Sequence, residues 1–280
     1  MSRPVPTNPV ELTAGDAELT VLPGDGCRLG SLRIGGVELL RTPQDEGAQG
    51  RSVFGYGSFP MVPWAGRVDR GRWNNGQVSH QLPIDAPPHA IHGTGVRTAW
   101  RTATPATAGS AAFYYDLAEP WPYRGRVTQL FELTAESLRT TLSVEAAAES
   151  FPAQAGWHPW FRKHLREGGA TARLDFDPGW QEERGADHLP TGRRIDPLPG
   201  PRDDCFGFPD GMRATLVWGD ELSLEITADC DWAVVFDEQS DAICVEPQSG
   251  PPNGINTAPR LVTPIDPLEL TTTWSWRTRP

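Results

Sequence analysis

Apolar and polar residues alternate with period two along much of this chain. Leu138, Thr140, Leu142 and Val144 alternate with Arg139, Thr141 and Ser143, and Leu222, Leu224 and Ile226 alternate with Ser223 and Glu225. The segment Leu268 to Trp276 repeats the pattern through Leu270, Thr272 and Trp274. Period two places successive side chains on opposite faces of an extended strand, so each segment predicts a half-buried strand. Asn75-Gly76, inside Arg72 to Val78, predicts a type I′ hairpin, because that turn needs positive φ at its central residues. Gly219-Asp220 is a weaker turn signal of the same kind.

No stretch of ten residues carries a convincing amphipathic helix, and Gly250-Pro251-Pro252-Asn253-Gly254 refuses one. The polar, proline-rich segment from Gln181 to Pro201 is expected to be a loop of about twenty residues, a length associated with function or flexibility. Internal repeats, low-complexity tracts and linker-like stretches are not evident. The pattern predicts an all-β fold, a large antiparallel β-sandwich of two packed sheets, as a single domain over residues 1–280 with about residues 1–12 as a tail.

Composition narrows the classes. The 280 residues are 38% hydrophobic with mean hydropathy −0.43, and nothing approaches the roughly 18 consecutive apolar residues of a membrane span. The first residues lack the basic-then-apolar layout of a secretion signal, so a cytoplasmic location is expected. A net charge of −11 argues against nucleic acid and anionic membranes as partners. Cys27, Cys205, Cys230 and Cys244 show no C-x-x-C pairing and are expected to be reduced and mostly buried. No feature of the sequence speaks to oligomeric state.

Five segments carry candidate chemistry. In Gly156-Trp157-His158-Pro159-Trp160-Phe161, His158 and Trp160 share a strand face, pairing an ionisable ring with an indole suited to stacking on a sugar; a hydrogen-bonded core histidine is the plainer reading. Glu246 follows the apolar run Ala242-Ile243-Cys244-Val245, so it is either partly desolvated and able to act as a base or part of a solvated face. Arg67 ends Ser58-Phe59-Pro60-Met61-Val62-Pro63-Trp64-Ala65-Gly66-Arg67 and fits either a surface arginine or a fork of donors for hydroxyls. His89 and His92, in His89-Ala90-Ile91-His92-Gly93, have a spacing better suited to hydrogen bonding than to metal ligation. Asp203 and Asp204, in Asp203-Asp204-Cys205-Phe206, fit either a turn cap or a clamp for vicinal hydroxyls.

In this order the five segments, from about Phe59 to Asn256, resemble the aldose 1-epimerase (galactose mutarotase) family, in particular its shorter bacterial members. The resemblance implies the galactose mutarotase-like supersandwich, a small-molecule aldose as substrate, and no cofactor or metal. By the family pattern His158 would be the general acid and Glu246 the general base. Arg67 and His92 would bind and polarise substrate oxygens, Asp203 would bind sugar hydroxyls with Asp204 as the second choice, and Trp160 would contribute an aromatic face. Gly66 and His89 depart from the pattern, each standing where the family commonly has asparagine; the first bears on sugar selectivity. Carboxylate and imidazole, with ordinary pKa values of about 4.3 and about 6.5, suit acid–base opening of a pyranose. Three alternatives remain at this point: a hexose 6-phosphate substrate held by Arg97, Arg101, Arg124 and Arg126, a sugar-binding protein without turnover, and a metal-dependent sugar isomerase.

Overall fold

A computed structural model describes residues 8–48 and 53–278. Two large antiparallel sheets dominate. The larger has twelve strands, and its path runs through Val10–Ala14, Ala17–Leu22, Arg28–Ile34, Ser58–Met61, Gly156–Pro159, Ala242–Gln248, Trp232–Phe236, Asp203–Gly207, Trp180–Arg184 and Pro190–Ile195. The smaller has eight, ordered Arg101–Thr104, Ser110–Asp116, Gly125–Leu133, Ser137–Ala146, Leu268–Thr278, Leu222–Ala228, Met212–Trp218 and Arg173–Phe176.

The period-two segments became strands because one face of the smaller sheet is covered and the other is not. In Ser137–Ala146, Leu138, Thr140, Leu142, Val144 and Ala146 are buried, while the residues between them are half-buried or exposed. The covered face packs on the larger sheet: Phe161 meets Trp274 edge-on at 4.9 Å and Phe206 meets Phe176 at 5.1 Å. These apolar side chains form one buried cluster spanning both sheets.

Ala242–Gln248 differs in being buried at all seven positions. Ile243 and Val245 enter the cluster between the sheets. Ala242 and Cys244, on the opposite face, join a second cluster with Phe59, Met61, Ala65, Val96 and Trp160. The middle of the larger sheet is thus covered on both faces, and polar side chains emerging beside the second cluster lie in a largely desolvated place.

Three local expectations change. The Trp73 hairpin forms, but Asn75 pairs with Val78, so the loop is Gly76-Gln77 and Gly76 alone has positive φ, at 59°. That is one residue later than a type I′ turn on Asn75-Gly76. The expected long loop is mostly a hairpin, Trp180–Arg184 with Pro190–Ile195, paired through Gln181 with Ile195 and Glu182 with Arg194. Its polarity reflects its place at the edge of the sheet, where solvent rather than a second layer meets most of its side chains. Near the N-terminus, where a tail to about residue 12 was expected, Val10–Ala14 pairs with Ala17–Leu22 and buries Leu12; residues 1–7 lie outside the described residues. Among the described residues the one α-helix is a single turn, Gly254–Thr257, one intervening residue after the proline pair. No helix there is long and apolar enough to cross a membrane. All four cysteines are free and buried.

Candidate active site

Strand register assembles the site. Phe59 pairs with His158, Glu246 with Val234, and Val234 with Cys205. Gly156 pairs with Gln248, and continuing that antiparallel register sets His158 opposite Glu246. Continuing the Gln181–Phe206 register likewise brings Glu182 opposite Cys205. Residues from six strands therefore form one row across the face of the larger sheet. Above this row an open cleft of about 710 Å³ is lined by residues that include Arg67, His92, His158, Asp203, Asp204 and Glu246. The six charged or titratable groups that the family resemblance assigns to the site thus line one cleft, whereas His89 does not.

His158 Nε2 lies 3.2 Å from Glu246 Oε1, and both side chains are buried. The imidazole is held between Phe59, at 4.7 Å and 23°, and Trp160, at 4.9 Å and 30°. Burial pushes the Glu246 carboxyl well above the usual carboxylate range; the charge of Asp203 adds to this, while Arg67 and a hydrogen bond from Gln248 oppose it. Burial also lowers His158 to about 3. Both shifts disfavour charge and so favour a neutral pair, with the shared proton on the carboxyl. The imidazole then carries its hydrogen on Nδ1, which is buried and has no hydrogen-bond partner.

The opposite wall of the cleft comes from a short ladder in which Arg67 pairs with Ile91. His92 adopts φ 61° and donates its backbone N–H to Gly66 O at 3.0 Å. Gly93 follows at φ 74°, where a Cβ would fall 2.1 Å from Val62 O, so only glycine fits. This bend turns the His92 ring edge-on to His158, with centroids 5.3 Å apart. Burial, reinforced by His158, Arg67 and Arg97, keeps His92 well below the ordinary imidazole range. Among the described residues the Arg67 side chain makes no hydrogen bond or ion pair, so its donors are free for a ligand.

The edge hairpin closes the third side with Glu182, Arg184, His188 and Pro190. Arg184 bridges Asp203 at 3.0 Å and Asp204 at 3.3 Å. Asp203 is in the pair register with Phe236 and Cys244 and therefore shares the face of Glu246, whereas Asp204 alternates away along the strand while still reaching the cleft. Burial raises the Asp204 carboxyl, with Arg184 opposing. The sequence reading missed Glu182, Arg184, His188 and Gln248. An i, i+2 step from Glu246 along a buried strand was the one signal that pointed to Gln248.

Trp160 does not line the cleft. It stacks behind His158, donates Nε1–H to Phe54 O at 2.7 Å, and is covered by the Arg41 guanidinium at 3.7 Å from its ring centroid. The expected sugar-stacking face is thus occupied by protein, and the indole instead fixes the imidazole. The four arginines considered for a phosphate also lie off the cleft. Arg97 pairs with Asp85 at 3.3 Å, Arg101 and Arg126 flank Asp116, and Arg124 lines a separate surface groove. Among the described residues, His158, Cys244 and Glu246 form the one group whose donor atoms lie close enough for a shared metal ion, all within 4.8 Å. Their nitrogen and carboxylate atoms already face one another at 3.2 Å.

Residues 9–253 match the model of the family described as aldose 1-epimerase. An uncharacterized protein of Escherichia coli K12, YphB, is 35% identical over 106 residues, covering 37% of this chain and 36% of that protein's length. A galactose mutarotase-like protein of Clostridium acetobutylicum superposes with a TM-score of 0.86 at 18% identity, over 96% of this chain and 95% of that one. The galactose 1-epimerase of Lactobacillus acidophilus superposes with a TM-score of 0.81 at 16% identity, over 100% and 98% of the two chains. At these identities the structural likeness speaks to fold.

Proposed function

Because this chain belongs to the aldose 1-epimerase family, we propose that it interconverts the α and β anomers of a free aldose by acid–base ring opening and reclosure. The observation that carries the reading is the buried contact of 3.2 Å between His158 Nε2 and Glu246 Oε1, in a cleft that also presents the unpaired Arg67 guanidinium.

The chemistry balances with these two groups alone. Glu246 as carboxylate takes the proton of the anomeric hydroxyl while His158 as imidazolium gives one to the ring oxygen, and the bond between C1 and the ring oxygen breaks. The open-chain aldehyde turns about its C1–C2 bond. In reclosure the neutral imidazole takes the proton of the C5 hydroxyl as that oxygen attacks C1, and the carboxylic acid returns a proton to the aldehyde oxygen. The ion pair that opens the ring and the neutral pair that closes it hold the same number of protons. One proton shift along the contact converts one into the other, so the buried site never carries a change of net charge. Arg67 and Gln248 both ease ionisation of Glu246 and so favour the ring-opening form. General acid–base groups of this kind contribute about 10²–10⁴-fold each.

In this reading Arg67 and His92 hold substrate oxygens, and Asp203, with Asp204 beside it, accepts from sugar hydroxyls. A free aldose is favoured over a sugar phosphate because every arginine considered for phosphate lies off the cleft, and Arg184 is already engaged by two aspartates. The test is anomer exchange of D-glucose, D-galactose and glucose 6-phosphate by polarimetry or exchange NMR, with and without EDTA. Exchange of the free sugars that EDTA leaves unchanged is the expected result. A preference for the phosphorylated sugar or EDTA-sensitive turnover would refute the reading.

A further inference from the structure

One buried polar group in the cleft itself gives and takes no proton in the steps above. Gln248 is 1% exposed and lines the cleft on the same strand face as Glu246, two residues further on. Its Nε2 faces Glu246 Oε2 at 3.5 Å, and its Oε1 is buried without a hydrogen-bond partner. Orphaned buried carbonyls are uncommon because their desolvation is not compensated. Nothing in the packing demands an amide here, since the unbranched side chain of methionine would occupy similar space. The side chain is nevertheless held in place: its strand partner is Gly156, where a Cβ would lie 3.1 Å from Gln248 Cγ.

We propose that Gln248 is a substrate-contacting specificity residue, whose carbonyl oxygen accepts a hydrogen bond from the hydroxyl on the carbon next to the anomeric carbon. The inference rests on the anomer-exchange reading. The anomeric carbon has three heavy-atom substituents: its hydroxyl oxygen, the ring oxygen and C2. Glu246 Oε1 and His158 Nε2 serve the first two, and the amide attached to the other oxygen of Glu246 stands beside the third. The carbonyl is an acceptor with no donor of its own, and a sugar hydroxyl supplies one. The same residue thereby couples recognition to catalysis, because its N–H group also orients the carboxylate. The site would favour 2-hydroxy aldoses over 2-deoxy aldoses.

The experiment crosses one substitution on the protein with one on the sugar. Anomer-exchange kcat/KM is measured for wild type and Gln248→Met with D-galactose and 2-deoxy-D-galactose, and with the glucose pair. Wild type is expected to lose about tenfold on the 2-deoxy sugar, the effect of one hydrogen bond. Gln248→Met is expected to lose at least about tenfold on the parent sugar and to show no remaining difference between the parent and 2-deoxy sugars. Differences in intrinsic sugar reactivity cancel when the two proteins are compared. The urea midpoint of Gln248→Met should equal or exceed that of wild type, because an unpaired carbonyl has been removed. A variant that keeps the 2-deoxy penalty would overturn the proposal, as would one that is both less stable and equally slowed on both sugars. If wild type exchanges no anomers, the functional reading fails by itself. The same cross in calorimetric Kd then tests Gln248 independently, with loss of the pattern again overturning it.

Discussion

The neutral resting state of the buried pair makes a prediction about stability rather than activity. Burial lowers the pKa of His158 in the folded chain to about 3, against about 6.5 in the unfolded chain. A lowered imidazole pKa means that the unfolded state binds the proton first. The group therefore costs nothing above about pH 6.5 and destabilises the fold progressively as pH falls toward about 3. Each pH unit in that window is worth about 1.4 kcal/mol, so between pH 7.5 and pH 5.0 His158 should remove about 2 kcal/mol. Replacement by phenylalanine preserves the stack between Phe59 and Trp160 and abolishes this titration. The raised pKa of Glu246 acts in the opposite direction over the same window, but it acts in both proteins, so the difference between them reports His158. The assay is urea unfolding at the two pH values, followed by fluorescence of the 11 tryptophans. On going from pH 7.5 to pH 5.0, the stability of His158→Phe should change about 2 kcal/mol more favourably than that of wild type. Equal changes in the two proteins would refute the neutral pair, and a less favourable change in the variant would indicate an imidazolium–carboxylate resting state.

Two further perturbations bear on the site. Asp203 raises the Glu246 pKa through its charge, so Asp203→Asn should make the carboxyl easier to ionise and move the alkaline limb of the kcat/KM profile to lower pH; an unmoved limb would remove that electrostatic link. At Gly93, with φ 74° and Val62 O 2.1 Å from a built Cβ, alanine should cost at least about 2 kcal/mol in urea unfolding, and a stability equal to wild type would show that the bend carrying His92 is not constrained as described.

Strands covered on one face were legible because alternation survives wherever one side meets solvent, as in Ser137–Ala146 and Leu268–Thr278. The Trp180–Ile195 hairpin was not, since an edge facing water needs few apolar residues and its polar composition reads as loop. His158 and Glu246 stood out because a titratable residue in an apolar strand is unusual. Their juxtaposition depends on register between strands almost ninety positions apart, which no local pattern encodes. Trp160 illustrates the opposite case: its shared face with His158 was readable, but Arg41 above it and Phe54 beside it, which turn it into a backing for the imidazole, come from a distant segment. Gln248 carried no mark of its own, because its significance lies in an unpaired oxygen that only the packed strand reveals.

The central claim is that Glu246 and His158 exchange protons with a sugar ring. The most direct measurement is the rate of α–β exchange of D-glucose and D-galactose with wild type and with Glu246→Gln, a change that preserves size and removes the titration. Wild type should accelerate exchange, and the variant should be slower by about 10² or more with its urea midpoint not lowered. A folded variant that exchanges anomers at the wild-type rate, or a wild-type protein that accelerates exchange of neither sugar, would contradict the account.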